Sequence, residues 1–117
     1  MNNSCMVWLW NERSKMFKGV ICRKNGGFNE IGKILLKYYN NPLKIKKLLD
    51  LGSLNEVGTT VNDSFPYYDN GDNITISKAK DLESIGKFNV ANHYFFVGDC
   101  WFVKKGFFVK KLKEVLA

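Results

Sequence analysis

Histidine occurs once in this chain of 117 residues, arginine and proline twice each, and cysteine three times. A zinc site needs three or four converging Cys, His or carboxylate ligands. Cys5, Cys22 and Cys100, with the lone His93, show no such spacing. Three cysteines without a CxxC pair fit neither a zinc knuckle nor a disulfide framework and read as buried free thiols. Two prolines and 15% aromatic residues argue against disorder. No apolar run approaches the roughly 18 residues of a spanning helix, so no membrane association is expected. The opening Met1–Lys15 has neither a basic n-region nor a long apolar h-region, so no signal peptide is expected and a cytosolic location is.

What the chain does have is positive charge: 18 Lys and Arg against 11 Asp and Glu, a net +7. Only Arg13 and Arg23 are arginine. Such a balance attracts anions, whether nucleic acid or an acidic protein patch. Lysine acts as a point charge and lacks arginine's bidentate fork, so the charge favours non-specific attraction over base reading. A lysine- and asparagine-rich solvated surface accounts for the composition equally well.

The length suits one domain, 1–117. Cys5–Trp10 and Met16–Cys22, around the polar turn at Asn11–Ser14, read as a hairpin; its first strand is apolar on both faces and is expected to be covered on both. Asn29 is placed to cap a helix with Ile31, Ile34, Leu35 and Tyr38 inward. Asn41 caps a second, with Pro42 at its first position, Ile45, Leu48 and Leu49 inward, and Gly52 beyond its end. The irregular stretch from Gly58 to Asn73 follows, then a short strand at Asn73–Ser77 and an ambiguous, partly helical Lys78–Phe88. Val90–Val97 and Cys100–Lys104 flank Gly98–Asp99 as a second hairpin. The tail, Phe107–Ala117, is either a strand entering a helical turn or a short helix. The expected fold is α+β: an antiparallel sheet of four to six strands, built from N- and C-terminal hairpins, with two adjacent helices on one face.

Candidate sites are matters of charge and loops. The cluster Lys104, Lys105, Lys110, Lys111 and Lys113 ranks first as an electrostatic footprint, opposed only by Glu114. The helical lysines Lys33, Lys37, Lys44 and Lys47 rank second, although a solvated helix face explains them too. The Phe65–Asp72 loop, with Tyr67, Tyr68 and Asp69, ranks third. Trp8, Trp10, Tyr94, Phe95, Phe96, Trp101 and Phe102 interleaved with lysines evoke a single-strand stacking platform, but core is the commoner fate of such residues. Asp63, Asp69, Asp72, Asp81, Glu83 and Asp99 lie near loops, and nothing in their spacing demands an acid–base pair. Asp69–Asp72 lacks the remaining ligands of a calcium loop and reads as a turn. Gly26-Gly27 ahead of a helix is a weak anion signal with no Walker-like continuation. Cys100 has no histidine at a nucleophile's spacing. No catalytic residue, metal or cofactor is expected.

Most of the chain resembles a family of small bacteriophage and prophage proteins. Ile31–Leu54 is similar to the family's GKTLLEHYNTPEKVRELIxLGDISSLG block, and Gly19–Phe28 follows its YCHWDGYP segment. Tyr68–Asp72 lies where the family has YHRDRGE, His93–Val103 resembles YAYLFxDGxWYV, and Phe108–Leu116 resembles FVPLKEVL. The polar His-Trp-Asp and His-Arg-Asp-Arg positions are replaced here by Arg23-Lys24-Asn25 and Asp69-Asn70. The resemblance implies a phage-lineage scaffold in the host bacterial cytoplasm whose surface serves binding rather than catalysis. The expected function is a non-enzymatic inhibitor of a bacterial defence system, an anti-CRISPR protein first among them. Its partner would be a defence effector protein or ribonucleoprotein, bound as monomer or homodimer through the lysine-rich surface. The alternatives are a nucleic-acid-binding phage regulator, a small enzyme using loop carboxylates, and a subunit dimerising through its apolar hairpin face.

Overall fold

A computed structural model describes residues 3–68 and 76–116. The strands are β1 (Cys5–Asn11), β2 (Met16–Cys22), β3 (Leu54–Glu56), β4 (Phe65–Pro66), β5 (Ser77–Ala79), β6 (Asn92–Val97), β7 (Cys100–Lys105) and β8 (Phe108–Lys111). The α-helices are α1 (Lys33–Tyr38), α2 (Pro42–Leu49), α3 (Leu82–Ile85) and α4 (Leu112–Val115); a π-helical turn, Phe28–Gly32, leads into α1.

All eight strands form one sheet, ordered β4-β3-β2-β1-β6-β7-β8, with β5 also paired to β2. The two hairpins are antiparallel, as expected, but they join through parallel pairing of β1 with β6, and β2 also runs parallel to β3. The expected antiparallel sheet of four to six strands with two helices is therefore corrected to a mixed, eight-stranded sheet with four short helices. Hairpin signals fix pairing only within each hairpin; how two hairpins dock is a tertiary matter. β3, β4 and β5 are two or three residues long, too short to show a period. β3 and β5 share one edge of β2, β3 at Cys22 and β5 at Phe17–Gly19.

Both faces of the sheet are covered. On one, Cys5, Val7, Val20, Cys22, Tyr94, Phe96, Trp101 and Val103 pack against Ile31, Leu35, Ile45, Leu48, Leu49 and Leu112. On the other, Met6, Trp8, Phe17 and Phe95 pack against Ala79 and Ile85, with Phe88 and Val90 alongside. The stacking platform does not exist as such: Trp8, Tyr94, Phe95, Phe96 and Trp101 are buried. The hairpin face proposed for homodimerisation is likewise covered, since Phe88 sits edge-on to Trp8 at 5.2 Å. Gly19 makes that layer possible, because a Cβ there would lie 2.4 Å from Trp8 Cε3.

The helices follow their signals unevenly. Asn41 caps α2 as expected, its side chain accepting from the Leu43 N–H at 2.8 Å. Asn29 instead lies inside the π-helical turn and caps nothing. Ile31 and Leu35 are buried, but Tyr38 is exposed and Tyr39 takes the inward place. Tyr39 is the C-cap, and its non-helical backbone (φ −122°, ψ 63°) turns its ring into the core, where its carbonyl accepts from Trp101 Nε1 at 2.7 Å. Of the strand expected at Asn73–Ser77, residues 73–75 lie outside the described residues, and β5 begins at Ser77. The tail takes the strand-then-turn alternative, as β8 and α4. No helix among the described residues is long and apolar enough to cross a membrane.

Candidate functional site

β8 is the last strand of the sheet, and all four of its residues are exposed. It folds back from β7 through the two-residue turn Gly106-Phe107, with Lys105 opposite Phe108. Gly106 has φ +60° at the first central position, a conformation glycine supplies without strain and one whose twist matches a hairpin. Phe107 stands fully exposed at the tip, and Phe108 and Val109 are exposed behind it. An edge strand of this kind presents unpaired backbone N–H and C=O groups.

Strand alternation divides the first-ranked lysines between the two faces. Lys111 pairs with Phe102 and Val109 with Lys104, which places Lys104 and Lys111 on the face shared with α3. Lys110 pairs with Val103 and Phe108 with Lys105, which places Lys105 and Lys110 on the face of α1, α2 and α4. Lys113 is exposed on α4. The five lysines thus straddle the edge instead of forming one flat patch, and residues 104–113 contain no acidic residue. Lys110 Nζ lies 5.4 Å from the Phe108 ring centroid, and Lys104 donates to the Gly106 carbonyl within its own hairpin.

Behind Lys104 lies a cleft of about 360 Å³ lined by Lys87, Phe88, Asn89, His93 and Lys104. His93 is buried in β6. Its Nδ1 accepts from Trp8 Nε1 at 3.3 Å, and it also hydrogen-bonds the Phe88 backbone. Burial is the main reason its pKa falls to about 4; the Lys104 charge adds to this. The imidazole is therefore a neutral, fully engaged core group. A second cleft, of about 210 Å³, is lined by Lys24, Asn25, Glu30, Ile31, Ile34, Glu56 and Val57, with Asn25 donating to Glu56 at 2.6 Å.

The other candidates stand apart from the β8 edge. Lys33, Lys37 and Lys47 are exposed on α1 and α2. Lys44 is engaged within the chain: its ammonium donates to the carbonyls of Tyr38 (2.7 Å) and Thr59 (3.2 Å) and sits 4.4 Å over the Tyr39 ring. It ties α2 to the loop after β3. Tyr67 lies under the Arg23 guanidinium, 4.2 Å from its ring centroid, while Tyr68 is exposed. Asp69, and with it the Asp69–Asp72 turn, lies outside the described residues. β4 and β8 end the strand order on opposite sides, so Phe65 and Pro66 stand apart from the lysine edge. Two of the loop carboxylates serve local turns: Asp81 caps α3 and is held below its ordinary pKa by Ser84, and Asp63 accepts from Thr60 at 2.9 Å.

Sequence reasoning missed the contribution of Phe107 and Phe108. The signal was present as two phenylalanines after a turn glycine, between the lysine pairs 104–105 and 110–111. No family model matches the chain, and no curated protein or solved structure is similar to it.

Proposed function

We propose that this chain is a non-enzymatic binding protein whose lysine-flanked β8 edge docks on an acidic protein surface. On the phage-family resemblance, we propose further that it is a phage- or mobile-element-encoded inhibitor of a bacterial defence system, a CRISPR effector being the leading target. One observation carries the binding reading: an open strand with an exposed aromatic tip, five lysines and no acid within residues 104–113. An extended partner segment adds to such an edge through main-chain hydrogen bonds, with side-chain chemistry choosing the partner. Charge complementarity would select an acidic one and speed the encounter. The same lysines disfavour self-pairing, because a β8–β8 ladder would crowd Lys110 and Lys111 of both copies onto four residues. A positively charged chain does not act as a decoy for DNA.

The test is capture on the tagged protein from a defence-bearing bacterial lysate, with and without nuclease, alongside a Lys110→Glu/Lys111→Glu variant. A defence effector retained after nuclease treatment and lost in the variant supports the proposal. The second reading, a nucleic-acid-binding regulator, is favoured by Phe107 and Phe108 standing exposed among lysines, where bases could stack. It predicts that nuclease strips the captured material and that affinity for bare nucleic acid falls by roughly 0.7–0.9 log units per phosphate contact per log unit of salt. That result would replace the inhibitor reading.

A further inference from the structure

Cys5 and Cys22 lie directly opposite one another in the β1–β2 ladder, and both side chains are fully buried in the same core cluster. Their neighbours fix the type of pair. The Ser4 carbonyl accepts from Ala91 on the β6 side, and the Arg23 N–H donates to Leu54 on the β3 side. Backbone groups alternate along a strand, so those of Cys5 and Cys22 point at each other. In a hydrogen-bonded antiparallel pair the Cα atoms stand about 5.5 Å apart. That lies within the roughly 4.4–6.8 Å between the Cα atoms of a disulfide, and closing the bond draws the Cβ atoms in from about 5.5 Å to about 3.5–4.5 Å. The two side chains share one face of the ladder and one core cluster, and each sulfur acts on the other's ionisation. We infer that Cys5 and Cys22 form an oxidation site, closed to a cross-strand disulfide by a small hydroperoxide.

The roles of the two sulfurs differ. The hydrogen bond from Cys5 and those from the Lys24 and Val57 backbone hold Cys22 below the ordinary thiol pKa, whereas burial pushes Cys5 well above it. Cys22, hydrogen-bonded to the Lys24 carbonyl at the rim of the cleft, is also the sulfur nearer the entry path, and we assign it as the attacking thiolate. Its sulfur takes one oxygen of hydrogen peroxide, the O–O bond breaks, and the departing hydroxide leaves as water with the Cys22 proton. The sulfur of Cys5 then attacks the Cys22 sulfenic acid, the S–OH bond breaks, and a second water leaves with the Cys5 proton. Two thiols and one peroxide give one disulfide and two waters.

Position favours a small oxidant. Cys5 opens β1 and Cys22 closes β2, so the pair sits at the end of the hairpin, beside the cleft lined by Lys24, Glu56 and Val57. Neither side chain is exposed, which disfavours a bulky disulfide reagent. The Cys22 S–H also donates to the carbonyls of Lys24 (3.4 Å) and Asn55 (3.7 Å). Oxidation removes that donor from the Lys24 carbonyl, at the rim of the cleft, so the change reaches the surface there; the Asn55 carbonyl keeps the Lys24 N–H at 3.1 Å.

The test uses the folded full chain carrying Cys100→Ser, which removes the half-buried third thiol without touching the pair. After hydrogen peroxide treatment the protein is unfolded in an alkylating reagent, with and without prior dithiothreitol, and the peptides are mapped. The expected result is loss of both alkylatable thiols, a Cys5–Cys22 linked peptide, full recovery with dithiothreitol, and a rate independent of protein concentration. Two free thiols after an exposure that fully oxidises Cys100 in the unaltered chain would overturn the inference. So would a sulfinic or sulfonic Cys22 without a link.

Discussion

Acidification between pH 6.5 and 4 should destabilise this protein through one residue, His93. The unfolded chain takes up a proton on this imidazole near pH 6.5, whereas the folded chain resists until about pH 4. Three features oppose protonation: the ring is 5% exposed, its Nδ1 must stay free to accept from Trp8 Nε1, and the Lys104 ammonium lies nearby. The sign follows from linkage. The unfolded state binds more protons in this window, so the stability His93 provides is complete above pH 6.5 and is lost as pH falls toward 4. The slope is about 1.4 kcal/mol per pH unit, which integrates to roughly 2 kcal/mol lost by pH 5 and roughly 3 by pH 4. Glu12 and Asp81, held low by Lys15 and by Ser84, lose their contribution only from about pH 4.5 downward. As the chain has one histidine, no other imidazole shares the window. Urea midpoints measured at pH 7, 6 and 5 should fall by about 1 M in total for an m-value near 2 kcal/mol/M. A His93→Gln variant, which keeps an acceptor for Trp8 but does not titrate, should flatten that dependence. An NMR titration of the His93 ring giving a pKa between 6 and 7 would refute the reasoning, as would an equal fall in the glutamine variant.

Gly19→Ala, a substitution that ordinarily stabilises a strand by about 0.5–1 kcal/mol, should instead cost about 3 kcal/mol in urea unfolding. The new methyl would meet Trp8 at 2.4 Å and the Val7 carbonyl at 2.7 Å, and a neutral result would show that Trp8 does not lie over this glycine. Lys44→Met should destabilise by about 1–2 kcal/mol, since it keeps the stem over Tyr39 but leaves the Tyr38 and Thr59 carbonyls without their donor. The same change at exposed Lys47 should stay within about 0.5 kcal/mol. Lys110→Glu/Lys111→Glu should leave the urea midpoint within about 0.5 M while slowing association with an acidic partner at least tenfold at low salt, read by surface plasmon resonance. An unchanged on-rate would remove β8 as the docking edge.

Local chemistry carried the sequence reading where one short segment decides the outcome. Asn41-Pro42 starts α2, Gly98-Asp99 turns β6 into β7, and the doubly apolar Cys5–Trp10 strand is covered on both faces because a layer packs on each side of the sheet. The reading failed where distant segments decide. Nothing in β1 announces that it pairs in parallel with a strand 87 positions away. Nothing in Leu82–Ile85 announces that one helical turn helps close the second face. Tyr38 and Tyr39 differ only in which follows the end of the helical backbone, and that reverses which one is buried. The lysines were legible as charge but not as geometry. Sequence cannot show that Lys44 is engaged, nor that alternation along β7 and β8 sets their lysines on both faces.

The place of β1 at the middle of the sheet also bears on how the chain is made. β1 leaves the ribosome well before the strand that fills one of its two edges, Asn92–Val97. At about 5–20 residues per second, β1 and β2 wait several seconds as an apolar ribbon with an open side before their neighbour emerges. Burial of Trp8 and closure of both layers therefore wait for residues 92–97. Any product stopped before residue 92 would keep an apolar strand with one edge unpaired, a form suited to chaperones or to aggregation.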